Sequence, residues 1–168
     1  GGYEDDIDSN PFEDRFSARG LSAALGISKT EVNASINRSI AVGMAIHDRD
    51  SGQPKANRKA ILEFISHGLK YVFPAKPAEI ARGVPTAFAA PVLESELSSA
   101  GEFIYVWPDA KGKEMGQSVA PLFKSVPMAV KKDPRLYEYL ALADAIRLGN
   151  PRESKIAIRM LEERLGEE

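Results

Sequence analysis

The chain has no cysteine, one tryptophan and two histidines among its 168 residues. Without thiols it can form no disulfide, no thiolate metal site and no thiol nucleophile, which fits a cytoplasmic protein. His47 and His67 stand twenty positions apart with no clustered acids around them, so neither a metal nor a cofactor is expected. No run approaches the roughly 18 consecutive apolar residues of a membrane span, and no basic start precedes an apolar stretch as in a signal peptide. Glycine-rich phosphate loops, serine elbows and histidine-based constellations are missing as well, so nothing calls for an enzyme. Asp109, Asp133 and Asp144 read as capping or surface acids.

What the chain does have is an ordinary globular balance, 43% apolar and 27% charged residues, enough for one buried core with an appendage. It opens on Gly1-Gly2 rather than methionine, so a tag remnant or a missing native start is expected. The net charge of −2 is unevenly spread. Residues 1–14 hold six acids and no base, and residues 15–59 hold eight bases against Glu31, Asp48 and Asp50. The basic stretch is the part of the chain suited to phosphates.

That stretch contains "LSAALGISKTEVNASINRS", residues 21–39. Ser17 can cap a first helix carrying Leu21, Ala24 and Leu25, and Gly26 stands where that helix must stop and turn. Ser28-Lys29-Thr30-Glu31 is a capping-box sequence: the Ser28 hydroxyl accepts from the Glu31 amide and the Glu31 carboxylate reaches back. Helical projection puts Val32, Ile36, Ile40 and Gly43 on one side, and Thr30, Asn33, Ala34, Asn37 and Ala41 on the other. The second set is short and polar. Asparagine can pair with an adenine edge, and threonine or alanine can touch a thymine methyl.

The pattern Leu21-x-x-x-Leu25-Gly26-Ile27-Ser28-x-x-x-Val32-x-x-x-Ile36 resembles the helix-turn-helix of bacterial transcriptional regulators, most closely the winged-helix, MarR-like kind, over about residues 17–46. The resemblance implies that the helix from Ser28 to about Val42 is a recognition helix entering the major groove. The candidate DNA-binding residues are Ser28 at its cap, Thr30, Asn33 and Asn37 toward bases, and Lys29, Arg38 and Arg49 toward phosphates. Ser22 replaces the family's usual alanine, a small-for-small change expected to have no effect. Met44-Ala45-Ile46 is the candidate first strand of the wing and His47–Lys55 its tip, with no return strand legible before the helical pattern from Asn57. No helix preceding the motif is legible in residues 3–16.

Downstream, residues 57–68 read as a helix with Ile61, Leu62, Phe64, Ile65 and Leu69 on its apolar face. Eight of the eleven prolines fall between Pro74 and Pro134, which excludes long helices there. In that region "FIYVW" (103–107) is the best strand, "KYVF" (70–73) its candidate partner and "DAKGKEMG" (109–116) an exposed turn. Trp107 is expected to be buried. For "RGVPTAFAAP" (82–91) two readings stand, an anion site around Arg82 and Gly83 or an extended segment wrapping the core with Arg82 paired to an acid; the second is favoured. Asp133 and Pro134 start a helix with Leu136, Leu140, Ala143 and Ile146 on its face. It stops at Gly149, and Asn150-Pro151-Arg152-Glu153 starts the next, carrying Ala157, Met160, Leu161 and Leu165, so the two form a hairpin that closes the core or a dimer interface.

The expected fold is therefore α+β, in four segments: an acidic stretch 1–16, a winged-helix-like module 17–70, a proline-rich strand and loop region 71–132, and a helical hairpin 133–168. The expected function is DNA-binding transcriptional regulation, with double-stranded DNA as partner and a homodimer as the acting form. The alternative is a protein-binding adaptor or antitoxin-like module whose C-terminal region holds a partner.

Overall fold

The computed structural model describes residues 17–94 and 103–166, so the acidic stretch 1–16 lies outside the described residues. The described chain is mixed α and β and divides into two compact units, the first ending at Asn57 and the second starting at Arg58. Among the described residues, no helix is long and apolar enough to cross a membrane.

The first unit contains α1 (Ala18–Leu25), α2 (Lys29–Ala41) and a two-stranded antiparallel hairpin, β1 (Ala45–His47) and β2 (Pro54–Ala56). Both helices follow their local signals. The Ser17 side chain accepts from Gly20 N at the start of α1, and Gly26, at φ +68°, ends it. Gly43, at φ +81°, follows α2 and lets Met44 N return to Ser39 O at 2.9 Å. The hairpin supplies the return strand that was not legible in the sequence. β2 opens on Pro54, whose ring argues against a strand when its neighbour is unknown.

The second unit opens with α3 (Arg58–His67), which belongs to this unit and not to the residue 17–70 module expected from the sequence. Leu62 and Ile65 pack on the core formed by the C-terminal helices, and Arg58 Nη1 donates to Leu165 O at 3.2 Å. The short α4 (Leu69–Val72) occupies the "KYVF" stretch, which is therefore a helical turn and no strand. Then come β3 (Ile80–Thr86), a 3-10 turn (Ala87–Ala89), α5 (Pro91–Glu94), β4 (Tyr105–Pro108), β5 (Glu114–Ser118), α6 (Val126–Lys132), α7 (Pro134–Leu148) and α8 (Pro151–Gly166).

β3, β4 and β5 close into a three-stranded barrel. β3 runs antiparallel to both others, while β4 and β5 are parallel, with Tyr105 opposite Gln117. So small a ring leaves no room for side chains where backbones cross, and three glycines stand at those points. Gly83 pairs with Pro108 on one side and Glu114 on the other, and a Cβ there would lie 2.0 Å from Trp107 O. A Cβ on Gly112 would meet the Gly83 backbone at 2.5 Å, and one on Gly116 would meet Ile104 O at 2.4 Å. The stretch read as an exposed turn at 109–116 is a turn through Lys113, with Gly112 packed on the barrel, while its last three residues are the start of β5.

Around the barrel lie two apolar clusters. The α7–α8 hairpin, the 3-10 turn and α5 bury Leu142, Leu161 and Leu93 completely. Trp107, as expected, is buried, packed with Val126 and Val130 of α6. The hairpin follows its caps: Asp133 Oδ1 accepts from Leu136 N at 3.0 Å, and Asn150 Oδ1 accepts from Glu153 N at 3.0 Å. Tyr137 Oη donates to Pro85 O, and burial pushes its hydroxyl up to about 12.

Asp144, expected at the surface, is 1% exposed at the centre of this unit. Its Oδ2 accepts from Thr86 Oγ1 and Trp107 Nε1, both at 2.7 Å, and its Oδ1 accepts from Arg147 Nε at 2.8 Å, with Arg147 Nη2 in ion-pair contact at the same distance. Arg147, its side chain 3% exposed, uses its other protons on Phe73 O and Ala120 O, each at 2.9 Å. Burial pushes the Asp144 carboxyl up, against the pull of the Arg147 guanidinium and the two neutral donors. The extended segment favoured for 82–91 is present in its first half as β3, but where an acid was expected as its partner, Arg82 is exposed and its Nη1 donates to Gly112 O at 3.3 Å, across the barrel.

Gly83→Ala should destabilise the second unit by about 3 kcal/mol or more, because the obstacle is backbone on a closed ring that cannot give way; urea denaturation measures it. Asp144→Asn should cost about 3–5 kcal/mol in the same assay, since it leaves the Arg147 charge buried without its counter-ion.

Candidate nucleic-acid interface

In the first unit, the chain between α1 and α2 is held at three points. Gly26 N donates to Ser22 O at 2.9 Å, the Ser22 hydroxyl donates to Ile27 O at 2.5 Å, and the Ser28 hydroxyl accepts from Glu31 N at 3.1 Å. The Ser22 side chain, expected to have no effect, is therefore part of the turn. Its hydroxyl satisfies a turn carbonyl that the α1 backbone cannot reach. The capping box forms by half: the Glu31 carboxylate turns along the helix to Ser35 Oγ and Arg38 Nη2 instead of back to the Ser28 amide. Those two donors hold the Glu31 carboxyl below the usual carboxylate range.

The turn aims one face of α2 inward and leaves the other in water. Val32 is 4% exposed, and Ile36 and Ile40 are half-buried. Lys29, Thr30, Asn33 and Asn37 are all exposed, Ala34 is half-buried, and Ala41 is exposed at the last position. The side chains singled out as base-reading candidates thus share one open strip, with Lys29 at its start. Arg38 is also exposed, but its guanidinium lies 2.7 Å from Glu31 Oε1 and 2.9 Å from Ser35 Oγ. With both side chains more than half in solvent, that ion pair is weak enough to be exchanged for another anion.

The hairpin presents Arg49 at its tip. Gly52, at φ +70°, makes the turn, Gly52 N donates to Asp48 O and Asp48 N to Gln53 O, each at 2.8 Å. The Ser51 hydroxyl, 2.8 Å from Asp48 Oδ2, holds that carboxyl below its ordinary range and stiffens the tip. At the base, Asn57 binds Met44 O through its backbone amide and Gly43 O through its side chain, both at 2.9 Å. Lys55 on β2 is a second exposed cation that sequence reading passed over, because without a return strand it had no place.

The local charge is smaller than the sequence count suggested. Of the eight bases in residues 15–59, Arg15 lies outside the described residues, and Arg58 and Lys59 belong to the second unit. The described first unit keeps five, Arg19, Lys29, Arg38, Arg49 and Lys55, against Glu31, Asp48 and Asp50. Among the described residues, no group of three or more metal-ligating side chains gathers. The second unit has an open groove of about 590 Å³ edged by Lys111, Lys124 and Lys131, in which Asp109 Oδ2 accepts from Lys131 Nζ at 2.8 Å.

No protein-family model, no curated protein and no solved structure matches the chain.

Ser28→Ala should lower the stability of the first unit by about 1 kcal/mol, the usual worth of a side-chain cap. Amide hydrogen exchange should show the loss concentrated in the first turn of α2, at Glu31 and Val32.

Proposed function

We propose that the first unit is a winged-helix-like module that binds double-stranded DNA, with α2 in the major groove, and that the protein acts in transcriptional regulation. The observation that carries the reading is the strip of Thr30, Asn33 and Asn37, exposed together on a helix whose start is fixed by Ser22 and Ser28. Short amides and hydroxyls on an exposed helix contribute little to folding, whereas they match the donor and acceptor pattern of base edges. Asn33 and Asn37 sit one helical turn apart, about 6 Å along the axis, close to two base-pair steps of about 3.4 Å. That spacing suits two adenines, and the strip holds no free arginine at its centre to prefer guanine. Lys29 and Arg38 flank it for phosphates, and Arg49 and Lys55 extend the cationic surface along the hairpin.

A second reading is favoured by the modest charge of the first unit: the chain is a protein-binding adaptor or antitoxin-like module that makes little use of DNA. Duplex binding at low salt separates the two. Fluorescence anisotropy with random duplexes should show affinity falling by about 10²-fold between about 50 and 200 mM salt, as about four released counterions would give. No binding at the lower salt would leave only the adaptor. On a selected site, Asn33→Ala and Asn37→Ala should each cost about 1–3 kcal/mol and relax preference at one A·T pair, while Lys29→Ala should weaken all duplexes alike.

A further inference from the structure

Three consecutive large apolar residues of the second unit stand in water. Tyr71 is 75% exposed, Val72 58% and Phe73 50%. They close the short α4 and do not hang loose from it. Leu69, 3% exposed, anchors the turn in the core, and Phe73 N donates to Leu69 O at 2.8 Å. Phe73 O accepts from the buried Arg147 guanidinium, and Pro74 narrows the backbone choices of the residue before it. Lys70 Nζ lies 5.0 Å from the centre of the Tyr71 ring. A buried arginine fixing the backbone beneath exposed aromatic side chains is a pre-organised surface, whose ordering entropy is spent in folding and not in binding.

We propose that this patch is where a second copy of the chain docks, Tyr71–Val72–Phe73 of one protomer against the same residues of the other about a two-fold axis. With roughly 200 Å² per aromatic side chain, Tyr71 and Phe73 leave about 250 Å² in water, and Val72 raises the patch to about 300 Å². Paired with itself, the patch removes about 600 Å². That is about half of the roughly 1,200 Å² at which stable interfaces begin, so the dimer requires polar residues around the patch to bury a similar area. The charges nearby favour a like partner: residues 70–80 carry only Lys70, Lys76 and Glu79, a field too weak to select a polyanion or a strongly charged protein. The choice of a second copy rests on the DNA-binding reading, in which two modules read two half-sites. The patch and the α2 strip lie on different units and share no residue.

Sedimentation velocity of the full chain without DNA tests this directly. The wild type should sediment as a dimer at micromolar concentration, and Tyr71→Asp, a change at a side chain three-quarters in solvent, should weaken dimerisation by about 30-fold or more, as a hot-spot residue does. Unchanged far-ultraviolet circular dichroism and Trp107 fluorescence would show that the variant still folds. Because the chain has no cysteine, Tyr71→Cys places a single thiol on the patch, and a flexible bis-maleimide should then give covalent dimer where Glu163→Cys, exposed near the end of α8 that meets the start of α3, gives none. A monomeric wild type, a Tyr71→Asp dimer as tight as the wild type, or equal cross-linking from positions 71 and 163 would each overturn the proposal. Tight duplex binding by a monomer would overturn it and leave the DNA-binding reading standing. A patch-dependent dimer that binds no duplex would do the reverse.

Discussion

The second unit is organised by one buried ion pair. Asp144 sits on α7 with every group around it a donor: a hydroxyl on β3, an indole on β4 and a guanidinium one turn along its own helix. A protonated acid would have to give up one of these bonds, so the geometry is satisfied by the carboxylate. Arg147 in turn reaches the carbonyls of Phe73 and Ala120, which end α4 and follow β5. Five segments distant in sequence thus share two side chains. A buried pair of this kind contributes little net stability relative to an apolar core, since both ions are removed from water. Its effect is on which arrangement is adopted: any shift of β3 against β4, or of either against α7, leaves a charge or a polar group without a partner.

The barrel imposes a second, steric constraint that acts in the same direction. With three strands the ring is so narrow that Gly83, Gly112 and Gly116 are contact points between backbones. The polar pair and the glycines together set the register of β3, at its last residue and at its middle. Thr86 is held by Asp144, and Gly83 is held between Pro108 and Glu114. The first unit is organised differently, by short-range bonds. Its turn, helix caps and hairpin tip are each closed by residues no more than six positions apart.

That difference explains what could be read from residues alone. Ser17, Gly26, Ser28, Asp133, Pro134 and Asn150 mark helix ends through bonds that span two to four residues, and all these ends stand where their chemistry puts them. The exposed strip of the candidate interface was legible for the same reason, because the period of α2 follows from Val32, Ile36 and Ile40. The errors lie where a distant neighbour decides. "KYVF" has the composition of a strand but is a helical turn anchored through Leu69, and the start of β5 looked like a turn because Gly116, and Gly112 just before the strand, are there for backbone contact. Asp144 looked like any surface acid on an amphipathic helix, and no local rule shows that Trp107, Thr86 and Arg147 converge on it. Pro54 hid the return strand of the hairpin, and with it the place of Lys55.

Closing the sheet has a consequence for how the protein behaves in a crowded solution. A flat sheet of three strands would present two outer rows of unsatisfied amides and carbonyls, which are templates for strand addition by other molecules. Here β4 and β5 pair with each other as well as with β3, so the ladder turns back on itself and offers little that another extended chain could add to. The narrowness that demands three glycines is thus also a built-in guard against fibril-like association.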